Sequence, residues 1–184
     1  MTFYSVRTSA VLAAISGLLL VAGCKGNDTA SADPNELAFN NYESMVGWTG
    51  GTESLSREQA HSGKYSVKVG PETEFGSGYS MQLNKMMDHK PHKLRISGWG
   101  YMTDSKASAR LGFQVMDPQG KEVFGDGIDY NEGVKTPGKW VEMQKEITLP
   151  PTVTGTHQLR VFLYRANASS PAFVDDVRIS EVKD

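Results

Sequence analysis

Ala109-Arg-Leu-Gly-Phe-Gln-Val-Met116 alternates between two kinds of residue. Its odd-numbered positions carry Ala, Leu, Phe and Val, and its even-numbered positions carry Arg, Gly, Gln and Met. Successive side chains of a strand point to opposite faces of a sheet, so the alternation predicts a β-strand with one aliphatic face and one mixed face. The segment Asp117-Pro-Gln-Gly120 follows and predicts a hairpin turn, because proline presets one backbone angle and glycine tolerates an open one.

Similar apolar segments recur along the chain, with turn residues between them. Strands are predicted over residues 37–39, 66–69, 79–83, 94–102, 109–116, 122–124, 141–149, 159–164 and 173–179. Short strands without amphipathic helices between them favour an antiparallel arrangement over alternating β-α-β units. The predicted fold class is therefore all-β, an antiparallel β-sandwich of the jelly-roll type.

The strands at 94–102 and 159–164 also have one aliphatic face and one face rich in Arg, Gln, Trp and Tyr. Planar rings among hydrogen-bonding groups suit a sugar, whose C–H face stacks on rings while its hydroxyls pair with amide and guanidinium groups. The residues predicted to bind the ligand together, on one shared face, are Arg95, Trp99, Tyr101, Gln114, Arg160, Phe162 and Tyr164. Two alternatives stay open: a covering segment buries Trp99, or the sandwich binds another envelope protein as a structural or adhesion lipoprotein.

The first 23 residues have the form of a bacterial lipoprotein signal. A lone cation, Arg7, precedes an apolar run that is too short to span a bilayer, and Val21-Ala-Gly-Cys24 closes the run. In a lipobox the cysteine becomes the acylated N-terminus, so Cys24 predicts a lipid anchor in the bacterial cell envelope, at the outer membrane or cell surface. The alternative is an ordinary secretory signal with an incidental Cys24. Residues 24–34 are small and polar and predict a flexible tether, which leaves 35–184 as one folded domain.

Composition excludes several classes of function and of structural support. Cys24 is the only cysteine, so no disulfide within the chain can hold the fold. Lys and Arg total 19 against 21 Asp and Glu, without a basic cluster, so nucleic acid is not predicted as a partner. There is no G-x-S-x-G motif, and Glu142 and Glu146 are one residue too far apart for the alternating carboxylates of a hydrolase strand. The prediction is a non-catalytic protein, with a jelly-roll polysaccharide lyase or hydrolase as the weaker alternative.

Five segments carry a further pattern: NELAFNNYESMVGW (35–48), AHSGKYSVKV (60–69), LRISGW (94–99), TPGKW (136–140) and FVDDVRI (173–179). In this order they resemble segments of carbohydrate-binding modules of families four, nine and twenty-two. The resemblance implies a galactose-binding-like jelly roll of two antiparallel sheets that binds an oligo- or polysaccharide.

The same resemblance implies a structural calcium ion between the first and last strands. The matching positions are the carboxylates of Glu43 and Asp175, with backbone carbonyls near Gly63 and Lys64. Asp175 lies in phase with Val177 and is expected to point toward the core, where an unpaired carboxylate is costly and a bound cation would neutralise it. The alternative is an Asp175 satisfied by Lys, Arg or backbone amides.

Overall fold

The computed structural model of the protein describes residues 34–183, so the predicted signal, Cys24 and nearly all of the tether lie outside the described residues. The strands are β1 Glu36–Asn40, β2 Leu55–Ser56, β3 Ser66–Val69, β4 Tyr79–Gln82, β5 Lys93–Met102, β6 Ala109–Met116, β7 Glu122–Asp129, β8 Val141–Thr148, β9 Gln158–Arg165 and β10 Ala172–Glu181. The helices are α1 Leu83–Met86 and α2 Tyr130–Gly133. No helix within residues 34–183 is long and apolar enough to cross a membrane.

The strands form two antiparallel sheets. The larger sheet has the order β2-β3-β10-β5-β8, and β1 also pairs with β10. The smaller sheet has the order β4-β9-β6-β7. The predicted all-β antiparallel jelly roll is confirmed, and each of the nine predicted strands is present.

The aliphatic face of each strand provides the core between the sheets. Ile96 of β5, Phe113 of β6 and Val161 of β9 are all almost completely buried there. Both sheets therefore turn their mixed faces outward, because the hydrophobic contribution comes from removing the aliphatic faces from water.

Strand β7 continues five residues beyond its predicted end at Phe124. Its extension pairs with β6, where Gly125 lies opposite Gln114 and Gly127 lies opposite Gly112. Glycine is a weak strand former, so the local sequence predicted an early end, but the ladder with β6 holds these residues in the sheet.

A register shift in β10 overturns the expected direction of Asp175. Asp175 pairs with Trp99 and Arg178 pairs with Ser97, so β10 has one more residue than β5 between these two pairs. Asp176 lies in this irregularity, with φ of 49°. An extra residue in one strand shifts the alternation, so side chains before and after it that would otherwise share a face point to opposite faces of the sheet. Asp175 therefore points to the outer side of the larger sheet, as Trp99 does, and not toward the core with Val177.

Candidate functional site

The seven predicted ligand-binding residues do not share a surface. Strand β5 lies in the larger sheet, whereas β6 and β9 lie in the smaller sheet. The residues on β5 are Arg95, Trp99 and Tyr101, and the residues on β6 and β9 are Gln114, Arg160, Phe162 and Tyr164. Because the two mixed faces point away from each other, the expectation of one shared face is wrong. The alternation of a strand predicts which of its residues point toward the core, but it does not predict to which sheet the strand belongs.

The outer side of the larger sheet is covered at Trp99. The His61 ring stacks on Trp99 with centroids 3.8 Å apart and an interplanar angle of 13°. Trp140 lies 5.8 Å from His61 and 5.3 Å from Tyr101, measured between ring centroids. Arg95 is paired with Glu146 at 2.6 Å. The loop of residues 57–65, called here the covering loop, therefore packs on this surface, which matches the alternative considered for Trp99.

Hydrogen bonds to Asp175 and Asp176 attach the covering loop to β10. Asp175 is completely buried, and its Oδ2 accepts the backbone N–H groups of His61 at 2.8 Å and Ser62 at 3.0 Å. Asp176 accepts the Ser62 hydroxyl at 2.7 Å and lies 2.6 Å from His61 Nδ1. Burial and the neighbouring Asp176 raise the pKa of Asp175 to about 7, although backbone N–H donors act in the opposite direction.

Glu43 is held by the end of the same loop. Its Oε1 accepts the backbone N–H groups of Lys64 at 2.6 Å and Tyr65 at 2.8 Å. Gly63 has φ of 58°, and a Cβ there would lie 2.5 Å from Glu43 Cδ. Only glycine allows the carboxylate to approach the turn this closely.

This arrangement bears on the calcium implied for Glu43, Gly63, Lys64 and Asp175. Calcium requires six to eight oxygen ligands, but the loop turns amide N–H groups toward both carboxylates. Residues 34–183 contain no group of three or more His, Cys, Asp or Glu side chains that could hold a metal ion. The carboxylates supply suitable atoms, but as placed they do not form a calcium cage, and calcium stays a prediction.

The outer side of the smaller sheet carries three neighbouring aromatic rings. Phe162 and Tyr164 of β9 have ring centroids 5.9 Å apart. Phe75, from the segment before β4, lies 6.3 Å from Phe162 and 6.2 Å from Tyr164. Phe75 is 59% exposed, which is unusual for so large an apolar side chain. The three rings form the aromatic cluster of this surface.

Beside the aromatic cluster, two glycines lower the floor of the sheet. Gly112 pairs directly with Gly127 on β7 and with Phe162 on β9. A Cβ at Gly112 would lie 3.1 Å from Tyr164 Cε1, and a Cβ at Gly127 would lie 2.4 Å from Arg110 Nε. Side chains longer than hydrogen would therefore displace the Tyr164 ring and the Arg110 guanidinium.

Charged and amide groups line the opposite side of this floor. Arg110 Nη1 donates to Asp129 Oδ2 at 2.8 Å, and Gln114 Nε2 donates to Glu122 Oε2 at 2.5 Å. Lys145 Nζ donates to Asp126 Oδ1 at 2.7 Å across the edge of the sandwich. Partial burial acts to raise the pKa of Asp126, but the hydrogen bonds from Lys145 and the Gly127 N–H outweigh it and lower the pKa.

Together the aromatic cluster and the polar side border a cleft of about 630 Å³. Of the residues predicted from the sequence, Gln114, Phe162 and Tyr164 line this cleft, and Arg160 lines a smaller cleft that shares Phe162. Other lining residues were not predicted from the sequence, among them Glu74, Phe75, Arg110, Glu122, Asp126 and Arg165. Arg110 points outward on the same strand as Gln114, so the alternation could have identified it. Phe75 lies in a segment without periodicity, which gives no such signal. Rings on one side and hydrogen-bonding groups on the other suit a flat ligand with apolar faces and polar edges.

Comparisons with known proteins agree with this geometry. The family model described as a carbohydrate binding domain matches residues 35–169. The CBM22-1 xylan-binding domain of Paenibacillus barcinonensis Xyn10C is 25% identical, with a TM-score of 0.52, and the match covers 81% of this chain and 96% of that domain. The C-terminal family 22 carbohydrate binding module of Clostridium thermocellum Xyn10B is 14% identical, with a TM-score of 0.53 and coverage of 82% and 97%. The latter likeness shows the fold alone. Comparison with curated proteins gave no match.

Proposed function

The chain belongs to the carbohydrate binding domain family, and from this we propose that the cleft of the smaller sheet binds a polysaccharide of the xylan type. The observation that carries the proposal is the aromatic cluster of Phe75, Phe162 and Tyr164 beside a polar cleft of about 630 Å³. Xylan is chosen because the 25% identical domain is named a xylan-binding domain.

The two sides of the cleft have separate roles in this proposal. Pyranose C–H faces pack against the rings of Phe162 and Tyr164, where the burial of apolar area supplies affinity. Sugar hydroxyls lie between the donors of Arg110 and Gln114 and the acceptors of Glu122, which supply specificity because an unpaired buried polar group is costly. The pair Gly112 and Gly127 keeps the floor low enough for a chain to cross the strands.

Removing one ring at a time tests this proposal. Phe162→Ala and Tyr164→Ala should each lower affinity for xylan by about 1–3 kcal/mol, which is typical of aromatic anchors at binding sites. Titration calorimetry with xylo-oligosaccharides and melting curves on the same samples provide the measurement. Tyr101→Ala is a matched control, because it removes a ring from the opposite surface and should leave affinity unchanged. Unchanged affinity in both cleft variants contradicts the proposed site.

We further propose that the protein binds without cleaving. Two of the three carboxylates in the cleft are already engaged, Glu122 with Gln114 and Asp126 with Lys145 and Arg110. A glycosidase needs one carboxylic acid that remains protonated near neutral pH, whereas the pKa of Asp126 is lowered. No release of reducing ends from xylan over a prolonged incubation is the expected result, and release that is lost in Asp126→Asn would contradict it.

Membrane attachment is a separate part of the proposal. The Val21 to Cys24 motif and the polar tether after it support an acylated Cys24, which would place the domain at the outer membrane or cell surface as a lipoprotein.

Calcium also remains a proposal, supported by the resemblance and by the two carboxylates of Glu43 and Asp175 at the covering loop. Binding would require the loop to exchange amide donors for carbonyl ligands near Gly63 and Lys64. The ion would then offset the charge of the buried Asp175 and stabilise the attachment of the loop to β10.

A further inference from the structure

A second cleft, of about 340 Å³, lies on the smaller sheet next to the main cleft and shares Phe162 with it. Its other lining residues come from β4, β9 and the segments before β4, and they include Thr49, Gly78, Ser80 and Arg160. Arg160 is the cationic residue of this lining, which contains no carboxylate. The main cleft differs, because Glu74, Glu122 and Asp126 all line it.

Arg160 is distinguished from the other arginines of residues 34–183 by its lack of a side-chain partner there. Arg95, Arg110 and Arg178 each pair with a carboxylate. Arg57 bonds to Tyr65, and Arg165 donates to the Pro71 carbonyl. Within the described part of the chain, the Arg160 guanidinium has neither a hydrogen bond nor an ion pair. Its donors are therefore available to a ligand.

The residues on either side of Arg160 add neutral polar groups. Ser80 lies opposite Arg160 on β4, and Gln114 lies opposite it on β6. Ser80 Oγ accepts a hydrogen bond from Gln158 Nε2 at 2.7 Å, so its own O–H can donate to a ligand. A guanidinium and a hydroxyl donor next to each other, without a carboxylate, form a site for an anion.

We propose that this second cleft binds the carboxylate of a uronic acid substituent on the polysaccharide. The inference rests on the proposed function, because the backbone of the polysaccharide must first lie in the main cleft over Phe162. A branch from a sugar stacked on Phe162 then lies beside Arg160, whose planar guanidinium can bind a carboxylate with two parallel hydrogen bonds. The main cleft is less favourable for the same carboxylate, because three acidic residues line it against two arginines, Arg110 and Arg165, and Arg110 is already paired with Asp129.

The test compares two forms of one polymer: a glucuronic-acid-substituted xylan, and the same xylan after chemical reduction of its carboxyl groups. The full-length chain is titrated with fragments of both. The uronate form should bind about tenfold more tightly than the reduced form, equivalent to about 1.4 kcal/mol. This preference should decrease as salt rises, because it depends on a partly exposed charge.

Three variants complete the experiment. Arg160→Gln should remove the preference and keep the affinity for the reduced polymer. Arg160→Lys should keep part of the preference, because charge remains but the two parallel hydrogen bonds are lost. Arg95→Gln, the same change on the opposite surface, should keep the preference unchanged.

The possible outcomes separate this inference from the proposed function. Equal binding of both polymers by the unmodified protein overturns the anion site and leaves the proposed function intact. If Arg160→Gln loses the same affinity for both polymers, the anion site is also overturned, because Arg160 would then contact the polysaccharide backbone. Binding of neither polymer overturns both proposals.

Discussion

Replacing Trp99 with alanine should lower the stability of the domain and leave polysaccharide binding unchanged. Trp99 lies on the outer side of the larger sheet, where His61 of the covering loop stacks on it at 3.8 Å. The proposed binding cleft is on the opposite sheet, so the substitution removes no group that the ligand would contact. The loop also loses part of its attachment, because the stacked His61 ring is one of its contacts with the larger sheet. The hydrogen bond from the His61 backbone N–H to Asp175 remains.

The size of the effect follows from the contacts of the ring. Trp-to-Ala substitutions in a core cost about 3–5 kcal/mol. Because Trp99 is only partly buried, we expect a cost below this range. Loss of the stacked pair with His61 is included and accounts for about 0.5–1.5 kcal/mol. A total of about 2 kcal/mol corresponds to a decrease of about 4–8 °C in melting temperature for a domain of this size.

Two measurements on the same samples decide the matter. Thermal unfolding gives the change in melting temperature, and calorimetric titration with xylan fragments gives the affinity. Tyr164→Ala is the matched comparison and should show the reverse pattern, with lost affinity and little change in melting temperature. A Trp99→Ala protein with unchanged melting temperature and tenfold weaker binding would refute the assignment of the cleft to the smaller sheet.

The remaining predictions concern the cleft floor, the buried carboxylate, calcium and the lipid anchor. Gly112→Val should displace the Tyr164 ring, because an added Cβ would lie 3.1 Å from Tyr164 Cε1. The displacement should weaken xylan binding by about tenfold in titrations. The pKa of Asp175 is about 7 in the folded state and about 4 in the unfolded state. Between these pH values the folded state binds more protons, so the free energy of unfolding should fall as pH rises. Urea unfolding across this range should show that fall, and Asp175→Asn should flatten it. If the calcium concentration is a hundred times the dissociation constant, chelation should remove about 2.7 kcal/mol of stability in the unmodified protein. Asp175→Ala should abolish this response. Identical melting curves with and without chelator, and no metal by elemental analysis, contradict the site. Cys24→Ala should abolish palmitate labelling in cells, and normal labelling of that variant contradicts the anchor.

The sequence by itself determined the strands and their inward faces. Alternation in Ala109–Met116 and in the strand around Val161 is a local property, because adjacent side chains of any strand point to opposite sides. The aliphatic side of a strand must be buried wherever the strand lies. The inward residues could therefore be predicted without knowledge of the partner strands. The resemblance extended this to the family, since its five segments are spread over the whole domain.

Sheet membership was decided only by the tertiary structure, and it divided the predicted binding surface. β5 has the same alternation as β6 and β9, but it pairs with β10 and β8, whereas β6 and β9 pair with each other. Those pairings join residues far apart in the chain and leave no trace in the period of a single strand. The extra residue at Asp176 likewise depends on the register with β5, and it turned Asp175 from the core to the covering loop. The local sequence therefore determines which side of a strand is buried, but the set of side chains that share the outer surface depends on long-range hydrogen-bonded pairing.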